Sequence, residues 1–442
     1  MPNHLLDSSA VNCALSPPKL FVSTVPLRDH VTDLVSLSTD SPWAWLSGKD
    51  GIVGWGEAAR CRLGAEPKTV EPTDKTRFFE AGRWLNGLVE QAEVEDEVNL
   101  PGTGPVAFGT FSFSPHSPGS ALVVPRVLVG RRGTHMWLTT ISDEPGARTE
   151  ELPSTPSTSG RIGPITWQGG TLDPQRWMDT VTGTIERIRS GELEKAVLAR
   201  DAVAEAESPI DVRVLLERLR RRFPSCFTFS VDGMVGATPE LLLRREGDRL
   251  TSLVLAGTRA RGQDHEEDRR LGEEMLSSPK DIEEHALAVD SLRAALGPLS
   301  EELVVPDRPH LLRLANVQHL ATPAQARPAP GVSALDAVAA LHPTAAVGGT
   351  PTGSAMRLIA EEEGMDRGGY AGPVGWMDGA GNAEWGIALR CALVEGTRAR
   401  LFAGCGIVAG SDPRSELAET VSKFRVMREA LTDPAAQGPF QG

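Results

Sequence analysis

The segment FTFSVDGMVGATPELLLRREGDRLTSLVLAGT, residues 227 to 258, constrains the fold more than any other part of the chain. Apolar and polar residues alternate with a period of two, and paired Asp and Gly residues interrupt the run where a chain reverses. It therefore reads as consecutive antiparallel strands. One long helix follows in SPKDIEEHALAVDSLRAAL, with Pro279 in its first turn and Ile282, Val289, Leu292 and Leu296 on its buried stripe. The same rhythm recurs on both sides. Upstream, Asp173 caps a helix whose Trp177, Val181, Ile185 and Ile188 share one face, and EKAVLARDAV then alternates as a strand before the helix DVRVLLERLRRRF. Downstream come the helices SALDAVAALH and SAMRLIAEEEG. YAGPVGWMD, AEWGIALRCAL and RARLFAGCGIV then follow as strands, before a last helix SELAETVSKFRVMREAL. Hairpins followed by single long helices specify an α+β layered architecture with largely antiparallel sheets and disfavour a doubly wound fold.

The first 165 residues read as β-rich, with strand pairs in AWLSGKDGIVGWGEAAR and ALVVPRVLVGRRGTHMWLTTI and no chemical motif. The Ser/Thr/Pro-rich string at 153–160 is the best boundary signal, and residues 433–442 read as a flexible tail. Composition narrows the partners. Lys and Arg number 45 against 59 Asp and Glu, a net charge of −14 that argues against nucleic acid or an anionic membrane surface as the main ligand. Five scattered cysteines form no CxxC pair, and their odd number suits reduced thiols and a cytoplasmic protein. The N-terminal residues do not read as a secretory signal, and no apolar run approaches about 20 residues.

In the last helix Glu416, Glu419 and Lys423 fall on one face, opposite Leu417, Val421, Phe424 and Leu431. Spacing alone fits a solvated face with a Glu419 to Lys423 pair. Asp281, Glu283 and Glu284 open the helix at 279, where carboxylates offset the helix dipole. Equally, Glu284 could face a cleft, and carboxylates from two helices suit a hard cation such as Mg²⁺. Lys195 shares a strand face with Val197 and Ala199, which by itself fits a lysine snorkelling to solvent. Arg390 alternates in phase with Glu384, Gly386 and Ala388, as a carboxylate binder or an internal ion pair would. Gly404-Cys405-Gly406 leaves backbone N–H groups open to a ligand.

Taken in order, KAVLAR (195 to 200), GATPELLLR (236 to 244), LAGTRARG (255 to 262), SPKDIEEHALAV (278 to 289), VQHLATP (317 to 323), LHPTAAVGGTP (341 to 351), YAGPVGW (370 to 376), ALRCA (388 to 392), LFAGCGIV (401 to 408) and SELAETVSKF (415 to 424) resemble the chorismate-utilising enzymes. That family includes isochorismate, salicylate, anthranilate and aminodeoxychorismate synthases. The resemblance implies a large single-domain α/β sandwich with two mostly antiparallel sheets and outer helices. Residues 1–165 would be a β-rich part of the same fold and 166–432 the chorismate-binding region. It further implies that Glu284 and Glu419 hold Mg²⁺, with Glu416 lining the acidic pocket. Arg390, Tyr370 and the backbone near Gly404 would receive the enolpyruvyl carboxylate. Lys423 would support the metal-side carboxylate, while His319, Gly257 and Thr258 would contact substrate.

Lys195 and Glu240 would flank the ring as base and acid. Isomerisation needs water to attack C2 while the C4 hydroxyl leaves, so one group takes a proton and another gives one. Ala346 stands where ammonia-using and salicylate-forming relatives carry Thr, and the aminating branches lack the lysine at 195. An isochorismate synthase is therefore expected, an isomerase feeding menaquinone or siderophore synthesis, with salicylate synthase as the alternative and an ammonia-using synthase behind it. Chorismate is the expected partner, with no glutaminase subunit and a monomeric state.

Overall fold

The protein was analysed as a computed structural model that describes residues 17–27, 33–37, 42–67, 69–146, 161–313 and 317–432. The expected linker at 153–160 and tail at 433–442 lie outside the described residues. Among those described, 21 strands are hydrogen-bonded into one continuous network. Every pairing is antiparallel except that of Phe21–Pro26 with Glu93–Asp96. The expected α+β class holds, with eight α-helices against the strands. The two expected sheets are joined because long strands bend and continue. Asp50–Leu63 shifts register between Glu57 and Ala59, and Arg249–Ala260 shifts between Ala256 and Thr258, where Gly257 has φ +78°.

Two apolar clusters flank this network. One gathers Phe78, Phe111, Trp385 and Leu198, and the other gathers Leu215, Val235, Ala403, Phe424 and Met427 beneath the helices Val212–Arg222 and Pro413–Leu431. Strands from the β-rich first part interleave with later ones. Trp43–Ser47 pairs with Phe227–Val231, and Val106–Thr110 pairs with Pro373–Asp378.

The helix Pro174–Arg189 begins as its sequence indicates, with the Asp173 side chain accepting from Arg176 N at 2.9 Å. Two helices, Thr76–Gln91 and His265–Ser277, were not foreseen. On the last helix Val421 is 37% exposed, and the buried stripe runs through Thr420, Phe424, Met427 and Leu431. Cys226, Cys391 and Cys405 are buried free thiols as expected, but Cys61 is disulfide-bonded, which corrects the expectation of reduced thiols at that position.

Candidate active site

The strand Lys195–Ala206 is hydrogen-bonded along its length to Arg398–Ile407, which sets Gly404 opposite Ala199 and Gly406 opposite Val197. Lys195 is only 5% exposed, not snorkelling, and its Nζ donates to Glu284 Oε1 at 2.7 Å. Gly406 makes that contact possible. A Cβ at 406 would lie 2.7 Å from Lys195 Cε and 3.6 Å from Glu284 Oε1.

Glu284 sits early on the helix Pro279–Leu296, which Ser278 caps by accepting from Asp281 N at 3.2 Å. The next residue holds the helix in place. His285 is buried, with Nδ1 3.2 Å from Ala256 O and Nε2 2.7 Å from Thr322 Oγ1, so the Glu284 carboxylate is tied to two strands through its neighbour.

Helix Pro413–Leu431 supplies the other wall. Lys423 Nζ donates to Glu419 Oε1 at 2.6 Å and to Gly404 O at 2.6 Å, joining helix to strand. Burial pushes the Glu419 carboxyl up, but Lys423 and then Arg390 outweigh this and hold it below the usual range. Glu416, one turn earlier, is pushed up by burial and by its neighbour Glu419.

Arg390 does not continue a strand. The chain breaks between Ala383–Ile387 and Cys391–Glu395, and Arg390 adopts φ +49°. The in-phase alternation fails there because the left-handed turn redirects the side chain. Its guanidinium makes no hydrogen bond or ion pair among the described residues, and burial lowers its pKa. Tyr370, Glu419 and Glu240 face it electrostatically. Tyr370 is buried and stacks on Phe402 with centroids 5.2 Å apart, and a Cβ at Gly404 would meet its Oη at 3.1 Å.

His319 is 5% exposed, pairs across the bulge with Thr258, and is pushed down to about 4 by burial and by Arg390, so it is neutral. Glu240 is 7% exposed at the start of Leu241–Glu246, with its N–H donating to Thr238 Oγ1 at 3.2 Å. Burial lifts its carboxyl to about 7 against the opposing pull of Arg390 and Lys195. It is thus a carboxyl that is substantially protonated at neutral pH.

The structure therefore gathers Lys195, Glu284, Glu419, Lys423, Arg390, Tyr370, His319 and Glu240 into one cluster linked by hydrogen bonds, ion pairs and mutual charge effects, with Glu416 beside Glu419. Ala346 lines a small cavity next to Glu240. For Gly257 and Thr258 only the backbone bulge is relevant. Two residues outside the expected set contribute. Gly406 belongs to a Gly-Cys-Gly string whose missing side chains already signal close approach; Thr344, beside Ala346, carries no signal beyond its place in HPTAAVGG.

The donor set fits a hard cation incompletely supplied by protein. No group of three or more His, Cys, Asp or Glu residues could hold a metal among the described residues. Two carboxylates from two helices, 25% and 41% exposed in their side chains, suit Mg²⁺ that keeps waters and ligand oxygens. No helix of the described residues is long and apolar enough to cross a membrane.

The family model for chorismate binding enzymes matches residues 52–432. A salicylate biosynthesis isochorismate synthase of Pseudomonas aeruginosa is 46% identical over 270 residues, 58% of this chain and 55% of that protein, so the chain spans little more than half of that relative. The isochorismate synthase MenF of Bacillus subtilis is 33% identical over 76% of this chain and 77% of its own length. Among solved structures, the menaquinone-specific isochorismate synthase MenF of Escherichia coli superposes with a TM-score of 0.77 at 26% identity. That match covers 96% of this chain and 97% of the other.

Proposed function

Because the chain belongs to the chorismate binding enzyme family, we propose that it is an isochorismate synthase, adding water at C2 of chorismate as the C4 hydroxyl leaves. The observation that carries this reading is the juxtaposition of a buried amine, Lys195, with a buried carboxyl, Glu240, that is about half protonated near pH 7. Such a pair supplies a base and an acid on the two sides of a ring. Ala346 leaves the nucleophile's side without a hydroxyl, which supports water over ammonia.

In this reading Arg390, with no carboxylate of its own, receives the enolpyruvyl carboxylate, and Tyr370 packs beside it. Lys423, fixed on Gly404 O, supports the ring carboxylate. Neutral His319 and the backbone at Gly257 and Thr258 close the pocket around substrate. Lys195 takes a proton from the attacking water and Glu240 gives one to the departing oxygen. Glu284 and Glu419 would hold Mg²⁺, with Glu416 beside them, and the ion would supply fixed positive charge for the ring carboxylate. Binding in the right orientation places both proton-transfer groups within reach.

The test is incubation of purified protein with chorismate and Mg²⁺, with products resolved by chromatography. Isochorismate is expected; salicylate accumulating without an added lyase overturns the assignment. Lys195→Ala should lower turnover by at least ~10²-fold while chorismate binding stays measurable by calorimetry. Unchanged turnover removes Lys195 from the base role. We place the product in menaquinone supply, supported by the similarity to two MenF proteins over three quarters or more of this chain. Strong repression of expression by iron would move it to siderophore synthesis.

A further inference from the structure

Besides facing the pocket, Glu240 lines a cavity of about 30 Å³ that also touches Ser252, Ser291, Thr344 and Ala346. That volume holds roughly one or two water molecules. The remaining walls are leucine, valine and alanine side chains from the helices Pro279–Leu296 and Ala334–Leu341 and the strands Leu241–Glu246 and Arg249–Ala260. Ser252 is 3% exposed, and Thr344 Oγ1 is buried with no hydrogen-bond partner among the described residues. The Glu240 carboxyl likewise makes no hydrogen bond to a described residue, and the charged groups that face it are Arg390 and Lys195. A buried hydroxyl and a buried carboxyl that both lack protein partners, on the walls of one polar void, are groups that an internal water satisfies.

Resting on the isochorismate synthase reading, we propose that this cavity is the proton inlet of Glu240. Water held there by Thr344, with Ser252 and Ser291, returns a proton to the carboxylate after each turnover. The chemistry requires such a return. At C4 the C–O bond breaks with its electron pair on oxygen, which takes the Glu240 proton and leaves as water. At C2 a new C–O bond forms and the attacking water loses its proton to Lys195. The product has the composition of the substrate; Lys195 passes the proton it took to solvent once product has left, but Glu240 ends ionised. Its O–H bond re-forms as the cavity water gives up a proton and regains one from solvent hydronium. Once product has left, the cavity is a second approach to the carboxyl beside the main pocket. Thr344 is a positioning residue in this scheme, because it holds the water and does not touch substrate.

The experiment compares the full chain with Thr344→Val, which removes the hydroxyl at constant shape, and Thr344→Ser, which restores it. Recharging of the acid after product release enters kcat and not kcat/KM. Thr344→Val should lower kcat roughly tenfold, enlarge the solvent deuterium isotope effect on kcat, and leave kcat/KM within about twofold. Thr344→Ser should behave as the parent. Equal losses in kcat and kcat/KM, or no loss in either, overturn the inlet. If Thr344→Val does not fold, Ser252→Ala carries the same comparison. A parent protein inactive on chorismate strikes down the underlying activity instead, whereas an active parent with an unaffected Thr344→Val strikes down the inlet alone.

Discussion

Glu240 carries a pH signature that stability measurements can read. Its carboxyl is raised from 4.5 to about 7, chiefly by burial. The neutral form is favoured in the folded state, so its contribution to stability is fully present below the unfolded value and is lost as pH rises through about 7. The shift corresponds to about 3 kcal/mol. Glu240→Gln, which cannot ionise, should escape that loss. Urea melts should show the variant gaining on the parent by up to ~3 kcal/mol at pH 8 and by almost nothing at pH 4, while turnover drops at least ~10²-fold. Parallel stability curves would contradict the burial argument. Gly406→Ala tests the opposite wall. Its new methyl meets the mobile end of Lys195 at 2.7 Å, so the lysine swings away from Glu284 without disturbing the backbone. Melting temperature should change little while kcat falls roughly tenfold or more; a collapse in stability would mean the strand itself had moved. Most of these residues were legible in the sequence through their motifs. Their states were not, because Lys195 alone reads as a snorkelling side chain and only the fold supplies the Glu284 partner 89 residues away.

At the scale of elements, a buried ion pair anchors the strand that bears Lys195. Arg367 and Glu363 form an ion pair in which both side chains are almost fully buried, 2% and 1% exposed. Arg367 also donates to Val197 O at 2.6 Å and Val347 O at 3.0 Å, and Glu363 Oε1 accepts from Ala199 N at 2.7 Å. The pair thereby ties the strand that bears Lys195 to the loop that bears Ala346. Arg367→Met leaves a buried carboxylate without its partner and should cost roughly 3–5 kcal/mol in chemical denaturation. The double variant with Glu363→Met should lose less than the sum of the two singles, and additive losses would deny the coupling. The i,i+4 spacing of Glu363 and Arg367 is visible in the sequence, but the backbone groups the pair serves lie up to 170 residues away and are not. Elements were legible where capping and periodicity agreed, as at Asp173 and Pro279. The helix Thr76–Gln91 was missed although Phe78, Ala81, Trp84, Leu85 and Leu88 mark its buried face, because the strand-rich text around it masks a period of 3.6. Arg390 misled for the opposite reason, its alternation running through a left-handed turn that pattern cannot reveal.

Over the whole molecule, strand order rather than strand identity escapes the sequence. That hairpins and helices alternate is readable from turns and periodicity; that Val106–Thr110 inserts beside Pro373–Asp378 is not. A chain beginning at residue 166 would leave Phe227–Val231 and Pro373–Asp378 with open hydrogen-bonding edges. It should be insoluble or unfold without cooperativity, and a soluble fragment with a sharp melt would show that the early strands are dispensable. The interleaving also bears on how such a chain is made. Trp45 donates to Glu384, 339 residues further on. At roughly 5–20 residues per second of synthesis, the tryptophan strand waits about 20 to 70 s on the ribosome for its partner. During that interval its apolar face and its open edge are exposed to the crowded interior of the cell, so the yield of this protein should depend on translation speed and on chaperone supply.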